Sequence, residues 1–316
     1  MRLGVLTNRL STRNRRGADQ VRRVLSRHPA VPHVEIDDWS RMPDALAELM
    51  RRDLDAIAVD GGDGTVIGVL TELRRRADRR MPALVALASG NTNMIAGDIG
   101  PSGRPHRSLE RILDAVSSDR ALRRTERRLI RFDMPGEPVQ YGFFVGAIAV
   151  VRAIQLAQRT LHPLGVNHGI ANAAGIGLNV ARVLFGGGEG LLSGVPLEIG
   201  FEEEPSRRGE YSALMVTTLR RMIFGIHPFW GSEAGSLRTT LVRAPVDRPL
   251  RSLIPLLRGK PSARMASHGY ESRNAHRIHI SFDGPIAIDG EYRQARSDRP
   301  IVLSDGGSVE FLDGGP

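Results

Sequence analysis

An α/β domain followed by a β-rich domain is the fold class the sequence predicts, and three observations predict it. Residues 1–130 alternate short apolar runs with segments of helical spacing. Beyond about residue 130 the apolar period falls to two. Two glycine turns, Gly61-Gly62-Asp63-Gly64-Thr65 and Ser89-Gly90-Asn91-Thr92-Asn93-Met94, each follow an apolar run short enough to be a buried strand. Strand–helix alternation implies a mostly parallel sheet with helices on both faces. Ligands of such sheets sit at the carboxyl ends of the strands, where both turns fall. At 316 residues the chain can hold two domains with cores of their own.

Taken in order, Arg2–Thr7 reads as a strand. Val21, Val24, Leu25 and His28 mark a helix face, Val34–Ile36 is extended, and Met42, Ala45, Leu46 and Leu49 mark a second helix. The run from Leu54 leads into the first turn, with Thr65 as the expected cap of a helix reaching about Ala77. Ala83–Ala88 is the next strand, and Leu109, Ile112, Leu113 and Val116 a further helix. Then Ile130, Phe132 and Met134 alternate with charged residues. Val195 to Phe201 and Ile278 to Phe282 repeat the pattern, as half-buried antiparallel strands do. The second domain is expected over 131–285. It would hold a helical insertion from Val151 to Leu184 closed by Gly186-Gly187-Gly188, and exposed hairpin loops at Glu202-Glu203-Glu204-Pro205 and Asn274–Ala275.

The composition, 41% hydrophobic and 25% charged, is that of a globular protein. Without cysteine, disulfides and thiolate chemistry are excluded, which fits a reducing cytoplasm. The longest apolar stretch, Gly142 to Val151, is far below the roughly 20 residues a bilayer-spanning helix needs. Met1 leads directly into a strand, so no signal segment is expected. Net charge is +9, and Lys260 is the only lysine. Its surroundings exclude a Walker-type loop and a protein-kinase strand lysine. Phosphates would therefore meet backbone amides, a metal and arginines. The basic balance favours anionic partners: nucleic acid, an acidic membrane surface or a phosphorylated substrate. With aromatics at 5% and no recognition helix, nucleic acid is not expected.

The first turn suits an anion. Its glycines keep Cβ atoms away from a ligand, and the next helix offers free N–H groups and a positive dipole end. Asp63 in such a cradle points to a magnesium-nucleotide site. Gly90, Asn91 and Asn93 repeat the arrangement with amide donors and acceptors. Asn8 and Ser11, followed by Arg13, Arg15 and Arg16, sit after the first strand, where a nucleotide could be met or where a basic loop is simply solvated. Asp289 and Glu291, either side of Gly290 at a strand end, would face one cavity in extended geometry. One of them could act as a general base, worth about 10²–10⁴ in rate; the plain alternative is a hairpin turn. Arg74–Arg76 with Arg79 and Arg80, and Arg120 to Arg131, are basic runs for an anionic leaflet or for solvent. Met222 to Trp230 could line an acyl cavity or belong to the core. His276 and His279 make no metal motif, and no nucleophile elbow exists.

Gly61–Thr65, Gly90-Asn91-Thr92-Asn93, Asn8-Arg9-Leu10-Ser11 and Asp289-Gly290-Glu291 together resemble the bacterial lipid kinases of the diacylglycerol kinase type. These are relatives of sphingosine kinases and, more distantly, of NAD kinases. The resemblance implies a doubly wound, NAD-kinase-like nucleotide domain over 1–130 with the tail 286–316 returning to it. It also implies an antiparallel β-sandwich for the lipid over 131–285. ATP and Mg²⁺ would be the cofactors and a lipid hydroxyl the acceptor, in phospholipid biosynthesis at the anionic inner face of the membrane. Gly61, Gly62, Asp63, Gly64 and Thr65 would hold the phosphates, with Asp63 on the metal. Gly90, Asn91, Asn93 and Asn8 would complete the nucleotide pocket, and Asp289, Glu291 or Asp63 would be the base. A kinase of a soluble hydroxyl compound such as NAD stays open. So does a non-catalytic homologue, because the segment Glu233 to Arg238 carries arginine where the family is acidic. The oligomeric state, a homodimer included, is left open as well.

Overall fold

The computed structural model describes residues 1–76, 80–101, 103–161 and 190–313. It separates into two units. The first is Met1–Leu129 with Leu219–Ile223 and Gly306–Pro316; the second is Ile130–Thr218 with Phe224–Asp305. The boundary falls where the hydrophobic period changes. The tail rejoins the first unit from Gly306 rather than 286, and Leu219–Ile223 joins it too, which no periodicity announces.

The first unit runs β1 (Leu3–Asn8), α1 (Asn14–Ser26), β2 (His33–Ile36), α2 (Met42–Met50), β3 (Ala56–Gly61), α3 (Asp63–Arg75), β4 (Ala83–Ala88), α4 (Met94–Ile99), α5 (Pro105–Ser117) and the start of β5 (Arg123–Asp133). β1 and β3 are buried end to end, as the central strands of a doubly covered sheet must be. β1 pairs in parallel with β2 and with β3, and β3 with β4. The order is therefore β4-β3-β1-β2, with the winding reversing at β1 and β3. A crevice opens at the carboxyl ends of those two strands, and Asn8 and Gly61 are the residues that end them. Helices α1 and α5 cover one face through Val21, Val24, Leu109, Ile112 and Leu113 against Val5, Ala58 and Val85. Proline at the first turns of α2 and α5 removes a donor that has no helical partner there.

The second unit holds the end of β5, β6 (Gln140–Gly142), β7 (Phe144–Ile148), α6 (Ala149–Leu161), β8 (Val195–Phe201), β9 (Arg207–Thr217) and β10 (Leu237–Arg243). Then come α7 (Pro249–Leu257), α8 (Ala263–Ser267), β11 (Tyr270–Ala275), β12 (Arg277–Phe282), β13 (Gly284–Ile288), β14 (Glu291–Ala295) and the start of β15 (Ile301–Asp313), which from Gly306 belongs to the first unit. Its pairings β7–β9, β8–β9, β9–β10, β10–β11, β12–β8, β13–β7 and β13–β14 are all antiparallel. Every alternating apolar set read from the sequence turns inward to one core, among them Phe132, Leu197, Ile199, Phe201, Ile278, Ile280 and Phe282. Burying each such side chain contributes roughly 1.5–3 kcal/mol.

Several expectations change. Thr65 is not the helix cap, because α3 starts at Asp63 with Gly62 in the cap position. Residues from Arg123 form a strand, not a charged helix face, in which Arg123, Arg124, Arg128 and Arg131 are exposed and Arg127 alone of the arginines is buried. Glu202–Pro205 does join two antiparallel strands, β8 and β9. Asn274–Ala275, by contrast, ends β11, paired to β10, with Ala275 buried. Of the helical insertion, α6 is described to Leu161; its remainder and Gly186–Gly188 lie outside the described residues, as does Arg79. Phe229 is buried, and Trp230 packs against Val242, Met265 and Tyr270, so these two follow the core reading.

Candidate functional site

In the first unit the two glycine turns touch. A Cβ on Gly62 would meet the Gly90 Cα at 3.0 Å, and one on Gly90 would meet the Gly62 Cα at 2.6 Å. Parallel pairing of Gly61 with Ala88 brings the turns side by side, and only residues without side chains allow the approach. A Cβ on Gly61 would collide with the Thr65 side chain at 2.4 Å, while one on Gly64 meets nothing within 4 Å. Open space therefore lies on the Gly64 side. There the amides of Thr65 and Val66 close onto the Gly62 carbonyl, and those of Asp63 and Gly64 have no partner among the described residues. Two free amides at the start of a 13-residue helix form an anion site by geometry and dipole together. Gly90→Ala is expected to push the turns apart. It should lower nucleotide affinity at least about tenfold and stability by about 1–3 kcal/mol, read by calorimetry and urea unfolding.

Asp63 does not point into that space as the nucleotide reading pictured it. Its Oδ2 accepts the Met94 amide at 2.8 Å and its Oδ1 the Ile95 amide at 2.9 Å. The carboxylate from the start of α3 thus caps α4, which locks the second turn to the first. Burial pushes its pKa above the ordinary aspartate value, against the pull of those two amides. One lone pair on each oxygen is left. No group of three His, Asp or Glu able to hold a metal occurs among the described residues. A metal ion held by Asp63 would take phosphates and water for most of its other ligands, the way magnesium is commonly held.

The flanking residues are spent on shape. Asn8 donates from Nδ2 to Thr65 Oγ1 at 2.9 Å and accepts the Leu10 amide. Ser11 Oγ lies 3.4 Å from Thr65 Oγ1 and accepts the Gly62 amide. Asn93, left-handed at φ 50°, closes its own turn by accepting the Gly90 amide and donating back to the Gly90 carbonyl, both at 2.7 Å. Asn91 is the exposed amide of this turn. The structure thus brings Asn8, Gly61–Thr65, Gly90, Asn91 and Asn93 together, although most of their side chains build the cradle rather than face a ligand.

Two residues not foreseen, Asn14 and Asp60, belong to the same place, together with Arg13 of the basic loop. Asn14 Nδ2 ties the Asn8 and Asp60 carbonyls, at 2.9 and 3.0 Å. Arg13 donates to the Ala88 carbonyl at 2.8 Å and remains exposed beside the second turn, a cation for an anionic ligand. Asp60, fully buried, accepts the Ser89 hydroxyl, while its Oδ2 lacks a well-formed hydrogen bond. Desolvation raises its pKa, opposed by Ser89, Asn14 and Thr7. A group raised by folding stabilises most below its unfolded pKa and loses that contribution as pH rises through the folded value. The Asp60 contribution should therefore fade from about pH 4 upward through the raised value. Asp60→Asn, which can still accept from Ser89, should flatten part of that slope and be no less stable at pH 7. Urea unfolding at stepped pH measures both.

Asp289 and Glu291 belong to the second unit. Asp289 and Gly290, at φ 48° and 91°, are the two central residues of the tight turn between β13 and β14, so the extended-strand premise fails. The Asp289 carboxylate folds back onto the amides of Phe143 and Phe144, with Oδ1 3.0 Å from the Phe144 nitrogen and Oδ2 3.0 Å from that of Phe143. A Cβ on Gly142 would overlap Asp289 Oδ2 at 1.8 Å, so glycine is required there. Glu291 points elsewhere, exposed and paired with Arg293 at 2.9 Å. The two carboxylates do not share one environment.

Residues 2–122 match the family model of the diacylglycerol kinase catalytic domain. No curated protein matches the chain. Among solved structures, one from Bacillus anthracis str. Sterne described as a diacylglycerol kinase is similar at 14% identity and TM-score 0.61, covering 99% of this chain and 96% of that one. A second from the same organism, provisionally given that name, has TM-score 0.66 at 14% identity, covering 99% and 97%. At that identity the likeness establishes the fold, which is shared over nearly the whole chain. The family match covers the unit that carries both glycine turns, and the resemblance read from those turns is borne out.

Proposed function

From a chain whose first unit is similar to the diacylglycerol kinase catalytic domain, we propose an ATP- and magnesium-dependent kinase that phosphorylates the hydroxyl of diacylglycerol or a related lipid. The observation that carries this reading is the contact of Gly62 with Gly90 at the end of β3, beside the free amides of Asp63 and Gly64. Two amides, a helix dipole and Arg13 supply what a lysine-free site needs to hold polyphosphate. Asp63 would offer its remaining lone pairs to magnesium, which when bound neutralises charge on the transferred group. Phosphoryl transfer asks chiefly for such positioning and charge neutralisation. Asp289, Glu291 and Asp63 remain the candidate bases for the acceptor hydroxyl. The enzyme would work at the inner face of the membrane; no described helix is long and apolar enough to cross one.

Transfer of labelled γ-phosphate from ATP to a mixed lipid extract tests the proposal, with magnesium and with chelator. A labelled lipid that needs magnesium supports it, and no labelled lipid from folded protein overturns it. One observation favours a second reading, a nucleotide- or lipid-binding homologue without turnover. Asp289 is engaged by two backbone amides and Glu291 by Arg293, which leaves neither carboxylate idle. ATP binding by calorimetry with no product on any lipid would select that reading.

A further inference from the structure

Ile254 is the most exposed large apolar side chain among the described residues, at 59%. It sits in α7, a helix of sequence Pro-Leu-Arg-Ser-Leu-Ile-Pro-Leu-Leu. The helix is anchored from one side. Leu256 packs against Val242, Met265 and Tyr270, and the Leu257 carbonyl accepts the His227 amide at 2.8 Å. Residues two apart on a helix lie about 200° apart around its axis, so Leu256 facing in turns Ile254 out. Arg251 and Arg258, three residues before it and four after, share its outward face and are exposed.

From Arg248 onward the charge of this segment has one sign. From Arg248 to Arg264 the chain carries Arg248, Arg251, Arg258, Lys260 and Arg264 and no carboxylate, and Lys260 is the only lysine in the protein. Arg251, Arg258 and Lys260 make no ion pair among the described residues; Arg248 has only the exposed Asp247, at 3.9 Å. A purely solvated basic helix would have no use for an isoleucine between two cations. An apolar ridge rimmed by arginines suits the boundary between phosphate headgroups and acyl chains, where each part of the side-chain set meets its own kind.

We propose that α7 docks the protein on an anionic bilayer, with Ile254 entering the acyl boundary and Arg251, Arg258 and Lys260 on lipid phosphates. The inference gives the lipid-kinase reading its membrane partner and rests on it for purpose, but it is measured without turnover. The full chain is sedimented with vesicles of phosphatidylglycerol and phosphatidylcholine, and with phosphatidylcholine alone. Binding to the anionic vesicles should weaken with salt. Replacing both arginines, Arg251→Gln with Arg258→Gln, should lower the partition coefficient roughly fivefold for each cation. Ile254→Ser should lower it about tenfold, and Ile254→Trp should restore it and add a blue-shifted emission on binding. Circular dichroism identical to wild type shows that each variant is folded. Unchanged partition in both the serine and the double glutamine variants overturns the proposal. So does binding by wild type to DNA but not to vesicles. Phosphorylation of detergent-dispersed lipid is expected to be unaffected by Ile254→Ser. Docking lost with that activity kept leaves the kinase reading intact, and docking kept without any lipid product rejects the kinase alone.

Discussion

Asp63→Ala is expected to lower phosphoryl transfer by at least about 10²–10³-fold, the usual cost of deleting one charged group from a transition-state cradle, and to loosen α4 as well. The second effect follows from the two amides the carboxylate holds, those of Met94 and Ile95. Losing a helix cap costs about 1–2 kcal/mol, and an amide stranded away from water up to about 3. The two effects separate in Asp63→Asn. Its single carbonyl can accept one amide, while its NH₂ faces the other donor, so part of the capping persists and all of the charge is gone. A metal-organising role predicts that the asparagine variant is as inactive as the alanine one although it is more stable. A capping role alone predicts that activity follows stability across the series. Steady-state kinetics on lipid, set beside urea unfolding of the same three proteins, decides between them. The pH dependence adds a check: with its pKa raised by burial, Asp63 is stabilising in its protonated form, and that contribution fades as pH rises through the raised value.

How much of this was legible depends on the distance over which each residue acts. The strands and helices of the first unit follow from local periodicity, since Leu3–Leu6 of β1 and Ala56–Val59 of β3 are unbroken apolar runs buried throughout. The pairing of the glycine turns was also legible, because glycine at 62 and at 90 has no local purpose that would serve equally well. What could not be read is the direction of a side chain. Asp63 sits in a phosphate-binding motif and yet turns to amides 31 and 32 residues away. Asp289 looks like half of a carboxylate pair until the positive φ values at 289 and 290 make it the corner of a hairpin, held by amides 145 and 146 residues distant. Asp60 looks like the last residue of a strand, and only its register beside Thr7, with Ser89 above, makes it a buried acid. Ile254 reads as an ordinary apolar residue until Leu256 is seen to take the inward position.

The largest loss of stability is expected from a residue with no place in any motif. Asp98, at the end of α4, has a side chain without solvent exposure; its Oδ2 accepts Arg127 Nε at 2.7 Å, and the Arg127 side chain is 9% exposed. Its Oδ1 accepts the Arg221 amide at 2.8 Å, and Oδ2 also lies 3.3 Å from that of Arg220. One carboxylate therefore neutralises a guanidinium from β5 and fastens Leu219–Ile223 into the first unit. Removing one partner of a buried ion pair costs about 3–5 kcal/mol because the other charge is left in the interior, and domains are stable by only about 5–15 kcal/mol in all. Asp98→Ala should thus bring the first unit close to unfolding at 37 °C. The pair itself need not be stabilising, since apolar replacements of buried pairs are often neutral. Asp98→Ala combined with Arg127→Met should accordingly recover most of the loss. What remains, about 1–3 kcal/mol, is the cost of the unpartnered Arg220 and Arg221 amides. Recovery of that size in urea unfolding assigns the defect to the stranded arginine; no recovery assigns it to the released segment, with Asp98 acting as a clamp on the backbone.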